Sequence, residues 1–139
     1  MGNIQRGNEE ESVYIRKKLI EYNMEKLTDE VKTPLEKVSF VIKNEKSETV
    51  GGITGTMFWH HLHIDFLWVS DEVRGKGYGS ELIEHIEFFA KENNCRLLLL
   101  DTFSFQAPDF YQKLGFDVVG VVEDHPKGHS QYFLQKRLN

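Results

Sequence analysis

The 139 residues contain a single cysteine, Cys95, so no intrachain disulfide can form and no cysteine-cluster zinc site is available. It precedes an apolar run, where a thiol serves as a small buried hydrophobe rather than a nucleophile. Positive charge is also short. Lys and Arg number 17 against 22 Asp and Glu, and the net charge of −5 argues against a nucleic-acid footprint, which needs a basic face. An acidic surface is compatible with a cationic partner. No apolar stretch approaches membrane-spanning length, and the opening MGNIQRGNEEESVY has no apolar leader core. The expectation is a cytoplasmic chain without a membrane partner. With only three prolines, no Pro/Gly/Ser-rich linker and no repeat, the sequence predicts one domain spanning 1–139.

Hydrophobic spacing supplies the elements. VYIRKKLIEYNMEKL (13–27) sets Val13, Leu19, Ile20, Met24 and Leu27 at helical intervals, and Pro34 marks a break. Two strands around a polar turn at 43–48 follow, then a third β-rich run, HIDFLWVS. Apolar residues on both parities of that run predict a strand covered on both faces. Leu82, Ile83, Ile86, Phe89 and Ala90 form a helical stripe, and CRLLLLDTF reads as a second fully buried strand. Pro108 suits the first turn of a short helix that Gly115 ends with a left-handed cap. Two further strands, FDVVGVVE and SQYFLQKRL, flank the polar DHPKGH. The order α, β-β-β, α, β, α, β-β predicts an α/β (α+β) domain with a mixed sheet and helices on both faces.

Three glycines in five residues, Gly75, Gly77 and Gly79, interrupt VSDEVRGKGYGSELIEHI where a strand gives way to a helix. Small side chains there let backbone N–H groups approach an anion, and the helix N-terminus adds its positive dipole end. Arg74 and Lys76 add formal charge, which makes phosphate the natural guest. The nucleoside-triphosphate loop GxxxxGK(S/T) is absent, and Ser80 stands where the dinucleotide fingerprint GxGxxG needs its third glycine.

The run Arg74-Gly75-Lys76-Gly77-Tyr78-Gly79 resembles the R/Q-x-x-G-x-G signature of the GNAT superfamily of N-acetyltransferases. FLWVSDEV before it resembles that family's fourth strand, and APDFYQKLGF (107–116) resembles its late helix AxxFYxKxGF. The resemblance implies a mostly antiparallel sheet whose fourth and fifth strands splay apart around acetyl-CoA, the co-substrate. It implies that backbone groups of Leu67, Trp68 and Val69 pair with the pantetheine arm as an added strand. Backbone groups of Arg74, Gly75, Lys76, Gly77, Tyr78, Gly79 and Ser80 then hold the pyrophosphate. It implies a backbone oxyanion donor near Leu67 and Tyr111 as the acid for the departing thiolate. Ser104 replaces an asparagine that the family often carries before the late helix.

The base that takes the amine proton is left to two carboxylates. Strand alternation puts His61, His63, Asp65, Leu67 and Val69 on one parity, so Asp65 is the first candidate and Asp101 its competitor. The reading is an N-acetyltransferase acting on a primary amine of a small molecule or peptide by direct transfer in a ternary complex. One alternative is a non-catalytic acyl-CoA-binding or protein-interaction module of the same fold. Another is a metal-dependent enzyme using His61, His63 and Asp65; successive positions on one strand diverge, so no metal is expected. His125 and His129 flank a Pro126-Lys127-Gly128 turn that suits the border of the acceptor site. The aromatic-rich SQYFLQKRL suits a homodimer interface.

Overall fold

The computed structural model describes residues 2–139, which form two compact units, one ending at Thr33 and the other running Pro34–Asn139. The first carries α1 (Glu9–Lys26). Its start is set by a reciprocal capping box. The Asn8 side chain accepts from the Glu11 amide at 2.8 Å, and Glu11 Oε1 accepts from the Asn8 amide at 2.9 Å. Glu9, Glu10 and Glu11 complement the helix dipole in the first turn and Lys26 in the last. The helix thus begins four residues ahead of the apolar stripe that predicted it, because capping rather than burial fixes its end. None of its residues is buried.

The second unit is built on a six-stranded sheet: β1 (Glu36–Lys43), β2 (Thr49–Phe58), β3 (His61–Val69), β4 (Leu97–Phe103), β5 (Asp117–Glu123) and β6 (Ser130–Arg137). The strands lie in the order β1-β2-β3-β4-β6-β5, and every neighbouring pair is antiparallel except β3 and β4. Between those two runs α2 (Tyr78–Glu92), and α3 (Pro108–Lys113) follows β4. The predicted order of elements and the mixed, mostly antiparallel sheet are both observed. Leu82, Ile83, Ile86 and Ala90 of α2 are buried against Ile53, Leu62, Ile64, Leu98, Leu100 and Leu134, with Phe116 closing the core. Each large side chain buried this way contributes roughly 1.5–3 kcal/mol. Cys95 is buried among them, and burial pushes its thiol up, as befits a packing residue. Pro108 opens α3, and Gly115 follows it at φ 98°. Among the described residues no helix is long and apolar enough to cross a membrane.

Two irregularities shape the site. First, β3 and β4 pair only from His61–Leu97 to His63–Leu99, although β3 runs on to Val69 and β4 to Phe103. Beyond His63, β3 stays with β2 as far as Val69–Gly51, and β4 stays with β6 as far as Phe103–Gln131. The facing edges therefore part, and no strand pairing joins them beyond His63 and Leu99. Second, β3 carries a bulge: Gly55 pairs with Ile64 and Thr54 with Phe66, so Asp65 is an inserted residue.

The bulge corrects the parity derived from plain alternation. Leu67 faces Ile53 and, with Val69, packs against the core beside α2. His63, opposite Thr56, and Asp65, bonded to Thr56, lie on the other face. It also corrects the expectation that β3 is covered on both faces. Phe66 and Trp68, just past the bulge, are 76% and 53% exposed. Alternation in β4 likewise buries Leu98, Leu100 and Thr102 but leaves Asp101 exposed.

Candidate active site

The glycine loop serves two separate steric needs. Gly75 and Gly77 adopt φ of 81° and 83°, a left-handed backbone costly for residues with a Cβ, and a side chain at either would point into open space. Gly77 is the N-cap of α2, and its carbonyl accepts from the Glu81 amide at 3.1 Å. Gly79 is different: a Cβ there would sit 3.2 Å from Phe110 Cζ, so this glycine lets α3 lie close to the start of α2. The chain enters the loop through a 3-10 turn, Asp71–Val73, capped by the Ser70 side chain. Arg74 ties the turn down. Its Nε donates to the Val69 carbonyl at 3.1 Å and its Nη1 lies 3.0 Å from Asp71 Oδ1.

A cleft of about 920 Å³ occupies the gap between the parted strands. Its walls are residues 64–69 of β3, residues 100–103 of β4, the glycine loop, and Phe110 and Tyr111 of α3. Of the residues singled out in the sequence, Asp65, Leu67, Trp68, Val69, Arg74, Gly75, Gly77, Tyr78, Gly79, Ser80 and Tyr111 all line this one cleft. Lys76 is exposed and is not part of the wall.

Tyr111 packs edge-on against Phe110 and Phe116, with ring centroids 5.1 and 5.9 Å away. Burial pushes its hydroxyl above the ordinary tyrosine range, so it keeps its proton at neutral pH. Ser104 lies elsewhere. Its Oγ accepts from the Ser130 amide at 3.1 Å, joining the end of β4 to the start of β6, while the N-cap of α3 is Ala107, which makes no side-chain cap. Ala107 itself has φ 87°, a strained value for a residue with a Cβ, at the cleft wall.

On the face away from α2, a chain of polar side chains crosses the sheet where the strands part. Thr56 Oγ1 donates to Asp65 Oδ2 at 2.7 Å, and His63 Nδ1 lies 2.8 Å from Asp65 Oδ1. His63 Nε2 is 3.8 Å from Asp101 Oδ1, and Gln131 Nε2 donates to Asp101 Oδ2 at 2.9 Å. Both carboxylates line the cleft. Sequence reasoning found Asp65 and Asp101 but missed Thr56 and Gln131. Hairpin register would have revealed Thr56 opposite His63; Gln131 needed the β4–β6 pairing. His61 turns to the Phe58 carbonyl instead, and burial followed by the nearby His63 lowers its basicity against that bond's opposing pull. Among the described residues no three His, Cys, Asp or Glu side chains are arranged to hold a metal ion. His125 and His129 meet the stacked Phe103–Phe105 pair, which lines one end of the cleft.

Residues 7–116 match the Acetyltransferase (GNAT) family. The chain is 39% identical over 106 residues to blasticidin-S acetyltransferase of Streptomyces morookaense, covering 76% of this chain and 78% of that protein. A crystal structure of an acetyltransferase from Bacillus cereus ATCC 14579 superposes with a TM-score of 0.96 at 60% identity, covering 99% of this chain and 98% of that one. An acetyltransferase structure from Bacillus anthracis str. Ames, solved in complex with acetyl coenzyme A, shares the fold with a TM-score of 0.65 at 21% identity, over 77% of this chain and 65% of that one. The chain is an acyltransferase and belongs to the GNAT acetyltransferase family.

Proposed function

We propose that this enzyme transfers the acetyl group of acetyl-CoA directly to a primary amine on a small cationic molecule, within a ternary complex. The observation that carries the reading is the unpaired stretch of β3 facing β4, which runs from the bulge at Asp65 to the glycine loop. A peptide-like pantetheine arm adds to such an edge as a further strand, through the backbone of Leu67, Trp68 and Val69. The pyrophosphate then falls on the amides of residues 74–80, at the positive end of a 15-residue helix. The fit is supported by the open space where a Cβ at Gly75 or Gly77 would point, since no protein atom crowds that side of the loop.

The chemistry assigned to the chain's own groups is short. A backbone N–H near Leu67 steadies the oxyanion as the amine attacks. Tyr111, kept protonated by burial, donates to the departing thiolate. Asp65 lies on the acceptor side and serves the removal of the amine proton. Asp65 and Asp101 favour a cation there, and the exposed rings of Phe66, Trp68 and Phe105 offer flat apolar surface for its body. The name of the Streptomyces relative, an acetyltransferase of blasticidin-S, supports a small molecule over a peptide as acceptor. Dependence on acetyl-CoA favours a cytoplasmic reaction.

The test is thiol release from acetyl-CoA across a panel of amines, including blasticidin-S, polyamines and lysine peptides. Turnover with a cationic small molecule supports the reading. Turnover confined to peptides would overturn the acceptor class, and binding of CoA with no turnover on any amine would favour a non-catalytic acyl-CoA-binding module.

A further inference from the structure

In the polar chain across the sheet, each Asp65 oxygen already has a protein partner. Oδ2 accepts from Thr56 at 2.7 Å, and Oδ1 faces His63 Nδ1 at 2.8 Å. A carboxylate bears no hydrogen, so the proton in the second contact belongs to Nδ1. That fixes the neutral tautomer of His63 and leaves the lone pair on Nε2. Nε2 is directed toward Asp101 Oδ1, yet 3.8 Å is beyond hydrogen-bond reach. Asp101 is in turn held by Gln131 through its other oxygen. The gap between Nε2 and Oδ1 is thus bounded by a base on one side and a negative charge on the other, beside a cleft that both carboxylates line. An ammonium nitrogen at an ordinary distance of about 2.8 Å would reach both.

We infer that His63 is the group that takes the acceptor's proton, that Asp65 is a positioning residue holding its tautomer, and that Asp101 anchors the acceptor's ammonium group. This rests on the acetyltransferase reading and deepens it, moving the base from Asp65 to the imidazole beside it. The arrangement follows the logic of a base oriented by a third group. Two protons leave the ammonium in the complete reaction. The first passes to His63 Nε2 and then to solvent, freeing the nitrogen lone pair to form the new C–N bond. The second balances the one that Tyr111 gives the sulfur when the C–S bond breaks, so the tyrosine ends as it began. The charged or titratable groups facing His63 are Asp65, Asp101 and His61; β2 contributes the uncharged Thr56.

A purely structural role, pinning β3 to β4 where they part, predicts different behaviour. The discriminating variant is His63→Gln, whose amide can still donate to Asp65 but cannot accept a proton. With acetyl-CoA and an amine that the wild type acetylates, the expected result is a fall in kcat of about 100-fold or more, with CoA affinity unchanged within about twofold. The acid limb of the kcat–pH profile should vanish with it. Retention of kcat within about threefold would overturn the inference. A second measurement needs no variant. The wild-type acid limb should stay in place for two amines whose own pKa values differ by about two units; a limb that follows the amine, or no limb, would overturn the inference. If His63→Gln disturbs folding, Asp65→Asn serves instead, since its amide donates toward Nδ1 and turns the lone pair away from the acceptor. Its kcat should fall while KM for acetyl-CoA holds, and an unchanged kcat would refute the positioning role. A wild type active on amines alongside an equally active His63→Gln variant sinks this inference alone. A wild type inactive on every amine sinks the acetyltransferase reading and this one with it.

Discussion

Replacing Gly77 by Ala asks whether the loop's backbone shape is held by the fold or assembled by the ligand. At φ 83° an alanine pays about 1–2 kcal/mol for the left-handed conformation. Its Cβ would meet nothing within 4 Å, so no packing penalty accompanies the strain, and the residue's tie to α2 is one hydrogen bond, its carbonyl accepting from the Glu81 amide at 3.1 Å. The free protein should therefore relax residues 75–77 into an ordinary conformation with little loss of stability. The cost then appears on binding, when the amides must be restored to face the pyrophosphate. Converted at about 1.4 kcal/mol per tenfold, it predicts a CoA dissociation constant raised about 5- to 30-fold. Calorimetric titration with CoA beside urea unfolding of the same variant separates the two contributions. A variant that loses stability by the full strain but binds CoA normally would show that the fold itself imposes the loop shape, refuting the argument. Normal affinity at normal stability would remove the loop from the binding site. Gly79→Ala supplies the contrast: its Cβ meets Phe110 at 3.2 Å, so its cost should appear in unfolding first.

Tyr111→Phe removes the acid without emptying the space between Phe110 and Phe116, so kcat should drop about 100- to 10,000-fold with CoA binding preserved; near-normal kcat would exclude the tyrosine from proton transfer. Glu87 offers a pH test. Burial alone would raise its carboxyl, but hydrogen bonds from Lys136 and Lys91 and their charges hold it below the ordinary value. A depressed folded value means stability that is present above the unfolded carboxylate range and is lost as pH falls through the folded value. Glu87→Gln should accordingly be less stable at neutral pH, by on the order of 1–2 kcal/mol, and should show a shallower loss on acidification in urea melts. Gly55→Ala tests the bulge from behind, because its Cβ would fall 2.8 Å from Leu62 Cδ2 and 3.1 Å from both the His63 carbonyl and Ile86 Cδ1. The expected loss is about 1–3 kcal/mol in thermal or urea unfolding. Leu98→Ala, at a fully buried position, should cost about 2–5 kcal/mol by the same measurement.

Much of the fold was legible because its signals are local. One-sided burial gives α2 its stripe, and Leu82, Ile83, Ile86 and Ala90 are the residues found buried. Pro108 and Gly115 bracket α3 for reasons confined to single residues, a missing N–H and a permitted left-handed φ. The bulge at Asp65 has no such signature. It depends on β2 staying paired with β3 on both sides of an inserted residue while β4 departs, and no pattern within HLHIDFLWV records where a neighbouring strand leaves. Alternation alone therefore assigned Leu67 and Val69 to the face of His63 when they belong to the core.

The same distinction separates the proposed donor side, which carries a local sequence signal, from the proposed acceptor side, which carries none. The groups proposed to hold acetyl-CoA are backbone groups: a free strand edge and a row of amides. Backbone can be exposed this way only where the sequence permits it, which is why Gly75 and Gly77 must be glycine and why a loop of that spacing is conspicuous in a single chain. The side chains proposed for the acceptor side come from four strands. Thr56, His63, Asp65, Asp101 and Gln131 are each ordinary residues for a strand surface, and they become a unit only once β2, β3, β4 and β6 are laid side by side. A substitution at any of them could redirect the choice of amine without altering a motif. Substrate preference should therefore be carried at these five positions and at the aromatic rim of Phe66, Trp68 and Phe105, while the glycine loop stays silent about it.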